Sequence, residues 1–213
     1  SIFLQRFSPQ GEAIGSEIRL PTTAEELSDP AIASLGSEGV IAVWSELDSQ
    51  GARVMAQRFN ASGEPDGLYE IADLQTDQPP TVGVESDANG NHMVVWHDGD
   101  SSDNDQQVMA QSYNADGDAV RTAFQVNDTS NHNSPTPDVA TGPAGHSVVV
   151  YNGAMGSTSD VVMRRYVAPG ESGSFEVTAG GDVPTVSLNF GNFPLFDLLL
   201  DWGDAPDSYS TVK

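Results

Sequence analysis

Four carboxylates crowd one short run, His97-Asp98-Gly99-Asp100-Ser101-Ser102-Asp103-Asn104-Asp105. Small spacers let Asp98, Asp100, Asp103 and Asp105 wrap oxygens around a hard cation, and calcium takes about six to eight such ligands. The run lacks the spacing and the closing bidentate glutamate of an EF-hand loop, so the plain alternative is a long solvated loop. A second set, Asp201, Asp204 and Asp207, recurs every three residues beside Trp202. It reads equally as calcium ligands or as an acidic linker. The cofactor that both sets imply is Ca2+. Asn114-Ala115-Asp116-Gly117-Asp118 also looks like a calcium loop, but its counterparts in the chain, SPQGE and NASGE, carry few carboxylates. Turn chemistry explains it better.

No other chemistry is marked as clearly. There is no cysteine, which removes disulfides, thiolate nucleophiles and zinc held by sulfur. Neither a GxSxG elbow, a phosphate loop nor HExxH occurs, and no catalytic residue is assigned. A glycan hydrolase would need a carboxylate pair about the scissile bond. Carboxylates are too abundant here for two of them to signify. His92, His97, His132 and His146 sit in or beside turns and are expected at the surface. Arg58, Arg164 and Arg165 are rare cations expected to pair with nearby carboxylates.

The elements that would position these groups repeat. Ile2 to Phe7 (IFLQRF), Val54 to Phe59 (VMAQRF), Val108 to Tyr113 (VMAQSY) and Val161 to Tyr166 (VVMRRY) start at steps of 52, 54 and 53 residues. A glycine follows each closing aromatic at the same offset: Gly11, Gly63, Gly117 and Gly170. A fixed period of this size marks propellers, solenoids or tandem arrays. Around each copy lie three further strand-like runs. A Pro-led run comes first (Pro30 to Leu35, Pro80 to Val84, Pro137 to Ala140), then an apolar run ending on Trp44, Trp96 or Tyr151. Those aromatics recur at one position, as packing residues between units would. A large–polar–aliphatic run follows the glycine: Ile18 to Leu20, Tyr69 to Ile71, Phe124 to Val126, Phe175 to Val177. Helical periodicity is confined to one candidate turn, Thr23 to Leu27.

Four short antiparallel strands per unit make up a propeller blade, so the expected fold is all-β, a β-propeller of four-stranded antiparallel blades. The repeats span 1–29, 30–79, 80–136 and 137–183, with a partial one at 184–200, together a domain over 1–200; 201–213 is an acidic tail or linker. The chain opens on a third and fourth run, and Pro184 to Leu188 and Leu198 to Trp202 match a first and second. Pairing of the two chain ends would close a ring of four blades and protect its edges. The alternative is a fragment of a larger propeller or an open repeat array.

Across 213 residues, Lys+Arg is 8 against Asp+Glu 31, a net charge of −23. Nucleic acid and anionic membranes are therefore poor partners. The surface suits either salty surroundings or cation binding. The longest apolar run, Phe193 to Leu200, is broken by Asp197 and falls far short of a membrane span. The first residues begin inside a strand-like run, as in a piece of a longer chain.

The aromatic-closed third run, its glycine hairpin and Phe124-Gln125-Val126-Asn127 resemble tandem repeats of large secreted or surface-attached bacterial proteins, over roughly residues 2 to 188. Asp201-Trp202-Gly203-Asp204-Ala205-Pro206-Asp207-Ser208-Tyr209 resembles the opening of the GEVED-type extracellular module; Trp202 serves either that module or the closing strand. The resemblance implies a secreted or cell-surface location and a non-catalytic binding or adhesion module. Its partner would be a glycan or protein ligand, with calcium assistance, or neighbouring domains of a longer chain. A structural unit of a surface layer or exoprotein is the alternative, and a glycan-active hydrolase a further one.

Overall fold

The computed structural model describes residues 1–98, 107–127, 136–155, 158–167, 174–177 and 186–189. They form antiparallel strands and one 3-10 turn, Gly36–Glu38. The first sheet is a hairpin of β1 (Phe3–Phe7) and β2 (Ala13–Arg19). The second is a meander of β3 (Glu26–Ser34), β4 (Val40–Asp48), β5 (Gly51–Phe59) and β6 (Pro65–Leu74), paired in that order. The third repeats it with β7 (Val82–Ser86), β8 (His92–Asp98), β9 (Gln107–Tyr113) and β10 (Phe124–Gln125). A fourth sheet holds β11 (Asp138–Thr141), β12 (Ser147–Met155) and β13 (Thr158–Tyr166), and β14 (Ser174–Val177) pairs with β15 (Val186–Asn189).

The repeat in sequence is a repeat in register. The aromatic closing each apolar run lies opposite the second residue of the motif: Trp44 with Met55, Trp96 with Met109, Tyr151 with Val162. The motif's own aromatic lies opposite the first residues of that run, Phe59 with Val40 and Tyr113 with His92. One turn recurs as well. Asn60 accepts from the N–H of Gly63 and donates its own to Glu64, at 2.8 and 2.9 Å, and its Oδ1 takes the N–H of Ser62 and of Glu64. Ser8, Asp87 and Asn114 head matching turns. In each the fourth residue is a glycine at φ between 83 and 90°, a conformation that costs an L-residue about 1–2 kcal/mol.

The first four sheets pack face to face in chain order. Alternation along β4 sends Trp44 toward the first sheet, with Leu20, Ala42 and Phe59, and sends Ile41 and Val43 toward the third, with Val84, Val94 and Trp96. In β8 the same alternation sends Trp96 back and Val95 forward, onto Val139, Val149 and Tyr151. The apolar runs are continuous because both faces of the strand are covered. Trp44, Trp96 and Tyr151 each seal a sheet to the one before it, as their recurrence requires.

Two expectations are corrected. Thr23 to Leu27 is not a helical turn: Thr22 Oγ1 takes the N–H of Ala24 at 3.0 Å, and β3 begins at Glu26 so that Leu27 joins the core between the first two sheets. That lengthened strand is interrupted where Pro30 has no N–H to give; its register shifts between Ser28 and Ala31, and Asp29 takes φ 46°. The run at Phe175 to Val177 is not the fourth strand of its repeat, since β14 pairs with β15, Phe175 opposite Leu188. Val186 to Leu188, the described part of the Pro-led run, supply that partner. Residues 198–202, expected to close the ring, lie outside the described residues.

Among the described residues, nothing covers one face of the first sheet. Phe3 and Phe7 are 55% and 62% exposed, whereas Phe59 and Tyr113, at the repeat position of Phe7, are 1% and 5% exposed. No helix among the described residues is long and apolar enough to cross a membrane.

Candidate functional site

A meander places its connections alternately at two ends. One end carries Asp98, the last residue of β8. Asp98 closes β8 opposite Gln107, whereas Glu46, at the same place in β4, lies opposite Arg53. Glu46 is buried and accepts the Trp44 indole N–H at 2.9 Å. Arg53 reaches Glu46 at 3.5 Å and Asp48 at 2.6 Å. The Gln50 N–H and then Arg53 hold Asp48 below the usual carboxylate range. Asp98 is one methylene shorter than Glu46, and the buried Trp96 indole N–H finds no hydrogen-bond partner. His97 is engaged with the chain itself: its Nδ1 accepts the Thr81 N–H at 2.9 Å, and burial pushes its pKa down.

Of the proposed calcium ligands, Asp98 is placed and Asp100, Asp103, Asp105, Asp201, Asp204 and Asp207 lie outside the described residues. Among the described residues no three His, Asp or Glu side chains are grouped to hold a metal. Asn114 to Asp118 is a turn, with Asn114 Oδ1 taking the Asp118 N–H at 2.8 Å.

The opposite end carries the tight turns and two clefts between sheets. The cleft between the first and second sheets, about 310 Å³, is lined by Leu4, Arg6, Phe59, Asn60 and Gly63. There Arg6 donates to the carbonyls of Ser62 and, at 3.3 Å, Ala61. One repeat on, a cleft of about 570 Å³ lies between the second and third sheets, lined by Leu35, Ser37, Glu38, Arg58, Asn89 and Asp116. Arg58 is the counterpart of Arg6 and lies over Gly117, its Nη1 2.9 Å from where a Cβ would stand. Its buried Nε has no partner.

Behind Arg58 lies a polar cluster. His92 is 3% exposed, not at the surface as expected, because alternation puts it on the inward face of β8 with Val94 and Trp96. Its ring stacks on Tyr113, centroids 5.1 Å apart and 10° from parallel, and Tyr69 lies 6.0 Å from the same Tyr113 ring. Among the described residues, the group that His92 Nδ1 meets is the Gly90 carbonyl at 3.1 Å, so Nδ1 carries the proton and Nε2 presents a lone pair. Neither His92 Nε2 nor the Tyr69 hydroxyl has a partner. Burial pushes His92 below the ordinary histidine range, and the Arg58 charge adds to that. Burial pushes Tyr69 up to about 12 against the pull of Arg58, and raises Tyr113. Arg58 is therefore close enough to act on both Tyr69 and His92. Carboxylate pairing was expected of Arg58; the ion pairs found among the described residues belong to Arg53.

Arg58 lines the cleft, whereas His92 Nε2 and the Tyr69 hydroxyl are sealed from solvent and their side chains do not line it. The sequence signal for His92 was available in the spacing His92-x-Val94-x-Trp96, which assigns the imidazole to the buried face. No protein-family description matches this sequence, and comparison with curated proteins finds no significant match.

Proposed function

We propose that this chain is a non-catalytic extracellular binding module, its sheets arranged as propeller-type blades and its ligand, a glycan or a protein, held at the blade ends. The observation that supports it is the cleft between the second and third sheets. It is framed by the repeated turns and is about 570 Å³, within the range of small-molecule sites, with Arg58, Glu38 and Asp116 among its lining side chains. A net charge of −23 steers the module away from polyanions. Calcium enters through Asp98 and the carboxylates that follow it. That loop is at the far end of β8, six residues from His92, or about 20 Å of extended chain. Calcium there braces the opposite end and does not touch a ligand in the cleft. Glycan arrays and pulldowns from extracellular material, with and without calcium, test the proposal. A protein that retains no ligand in any of them is not a binding module.

A second reading, a structural unit of a larger assembly, is favoured by Phe3 and Phe7, exposed where their counterparts are buried. In the four-blade ring, the last blade covers that face, as the first sheet covers Phe59. In an assembly, a neighbouring repeat covers it. Light scattering separates the two: a monomer fits the ring, and association that Phe3→Ser with Phe7→Ser abolishes fits the assembly.

A further inference from the structure

We propose that the open face of the first sheet docks on the fourth sheet of a second copy of this chain, on the face turned away from the third sheet. Copies then join head to tail through the same contact that joins one sheet to the next. This rests on the reading of the chain as a unit of a larger assembly, and it names the partner and both surfaces.

Three features of the repeated contact are cut short at the ends of the array. The first is the aromatic that closes the motif: Phe59 and Tyr113 are buried, and Phe7 is exposed. The second is the residue that opens it. Val54 packs between the second and third sheets and Val108 between the third and fourth, both 0% exposed. Val161 holds their position in β13, beside Val162, which faces the third sheet, and is 63% exposed. The third is an arginine laid over a turn. Arg6 donates to the Ser62 and Ala61 carbonyls, and its Cδ lies 2.8 Å from where a Cβ of Gly63 would stand. Arg58 lies likewise over Gly117. At Gly11, the matching glycine of the first sheet, nothing lies within 4 Å of that point.

What one end lacks, the other end presents. The arginine's motif position in the fourth sheet is held by Arg165, exposed on the same side of β13 as Val161. Across the joint it reaches the turn at Gly11, where Pro9 and Gln10 stand in the places of Ala61 and Ser62 and offer the same carbonyls. Val161 then meets the face that bears Phe3 and Phe7. Within one chain both faces stand open, so they do not cover each other, and a second copy supplies each with its match. The two surfaces differ, so the contact is heterologous and every chain both gives and receives it. Apolar burial drives the association, and the planar guanidinium fixes its register on the turn. A charge of −23 on each copy opposes the contact at low salt and is screened at high salt. Association therefore strengthens as salt is added.

The test mixes two variants, each with one face spoiled. Phe3→Ser with Phe7→Ser spoils the first sheet, and Val161→Glu spoils the fourth. All three positions are exposed, and unchanged melting temperatures certify the folds. Size-exclusion chromatography with light scattering, over a range of concentration and salt, reads the outcome. The unaltered chain should form oligomers that grow with concentration, and each variant alone should be a monomer. Mixed in equal amounts, the two should give a dimer and nothing larger, because one intact pair of faces remains. Arg165→Met leaves both apolar faces whole and should weaken association about tenfold, which tests the fourth sheet a second way. A mixture that stays monomeric overturns the pairing and leaves the assembly reading standing. Association that Val161→Glu and Arg165→Met leave intact does the same. An unaltered chain that is monomeric at every concentration and salt overturns both.

Discussion

Exchanging one methylene between two equivalent positions tests how the repeat handles its buried indoles. In the second sheet, Trp44 Nε1 donates to Glu46 at 2.9 Å. In the third, Asp98 stands in for that glutamate and Trp96 Nε1 is buried without a partner. A net hydrogen bond contributes about 0.5–1.5 kcal/mol, more to a charged acceptor, and an orphaned buried donor costs about 1–3 kcal/mol. Asp98→Glu is therefore expected to stabilise by about 1–2 kcal/mol, and Glu46→Asp to destabilise by about as much. For a domain of this size each kcal/mol moves the melting temperature about 2–4 °C, so the two variants separate by roughly 4–16 °C in opposite directions. Thermal melts followed by circular dichroism read the shift, and hydrogen exchange of the indole N–H assigns it. Exchange should slow at Trp96 in Asp98→Glu and quicken at Trp44 in Glu46→Asp. Shifts of the same sign, or an unaltered Trp96 exchange rate, would refute the reasoning.

Further outcomes follow from particular residues. Gly39→Ala puts a Cβ 2.0 Å from the Phe59 carbonyl oxygen at φ 125°, whereas Gly11→Ala at φ 83° meets nothing within 4 Å. Denaturant melts should show a loss of about 1–2 kcal/mol at Gly11 and at least twice that at Gly39; equal losses would contradict the packing. His92 and His97 are both held below their ordinary pKa, chiefly by burial. The unfolded chain then takes up protons as pH falls through about 6.5 while the folded chain does not, so stability is complete above neutrality and declines toward the folded pKa values. His97→Asn keeps an acceptor for the Thr81 N–H and should flatten the decline in urea midpoint between pH 7.5 and 5.5; an unchanged slope removes His97 from the explanation. Calcium added after chelation should raise the melting temperature, because a ligand of the native state alone must stabilise it, and should leave glycan retention unchanged. A flat melting temperature argues against calcium at the Asp98 loop.

The sequence made the strands legible because period and register coincide. Trp44, Trp96 and Tyr151 announced by recurrence the inter-sheet positions they occupy, and the glycines of the hairpins announced the turns. Composition could not foresee what depends on cross-strand neighbours. His92 adjoins a turn and was expected at the surface, yet its place opposite Tyr113 buries it. Arg6 and Arg58 hold one motif position, and only the spatial placement shows Arg6 bonded to turn carbonyls and Arg58 with a bare Nε. Phe175 to Val177 had the pattern of a fourth strand, yet they pair with Val186 to Leu188. The acidic run was legible as a cluster, but charge and spacing do not fix the geometry that a metal needs.

Proposed ring, cleft and turns alike depend on each sheet covering the face of the next. A methyl-selective nuclear Overhauser experiment reads those faces directly. The account predicts contacts of the Trp44 indole with methyls of Leu4, Ile18 or Leu20, of Trp96 with Ile41, Val43 or Val54, and of Tyr151 with Val95 or Val108. Contacts confined within each repeat, with the three aromatics touching no residue of the preceding sheet, would contradict it.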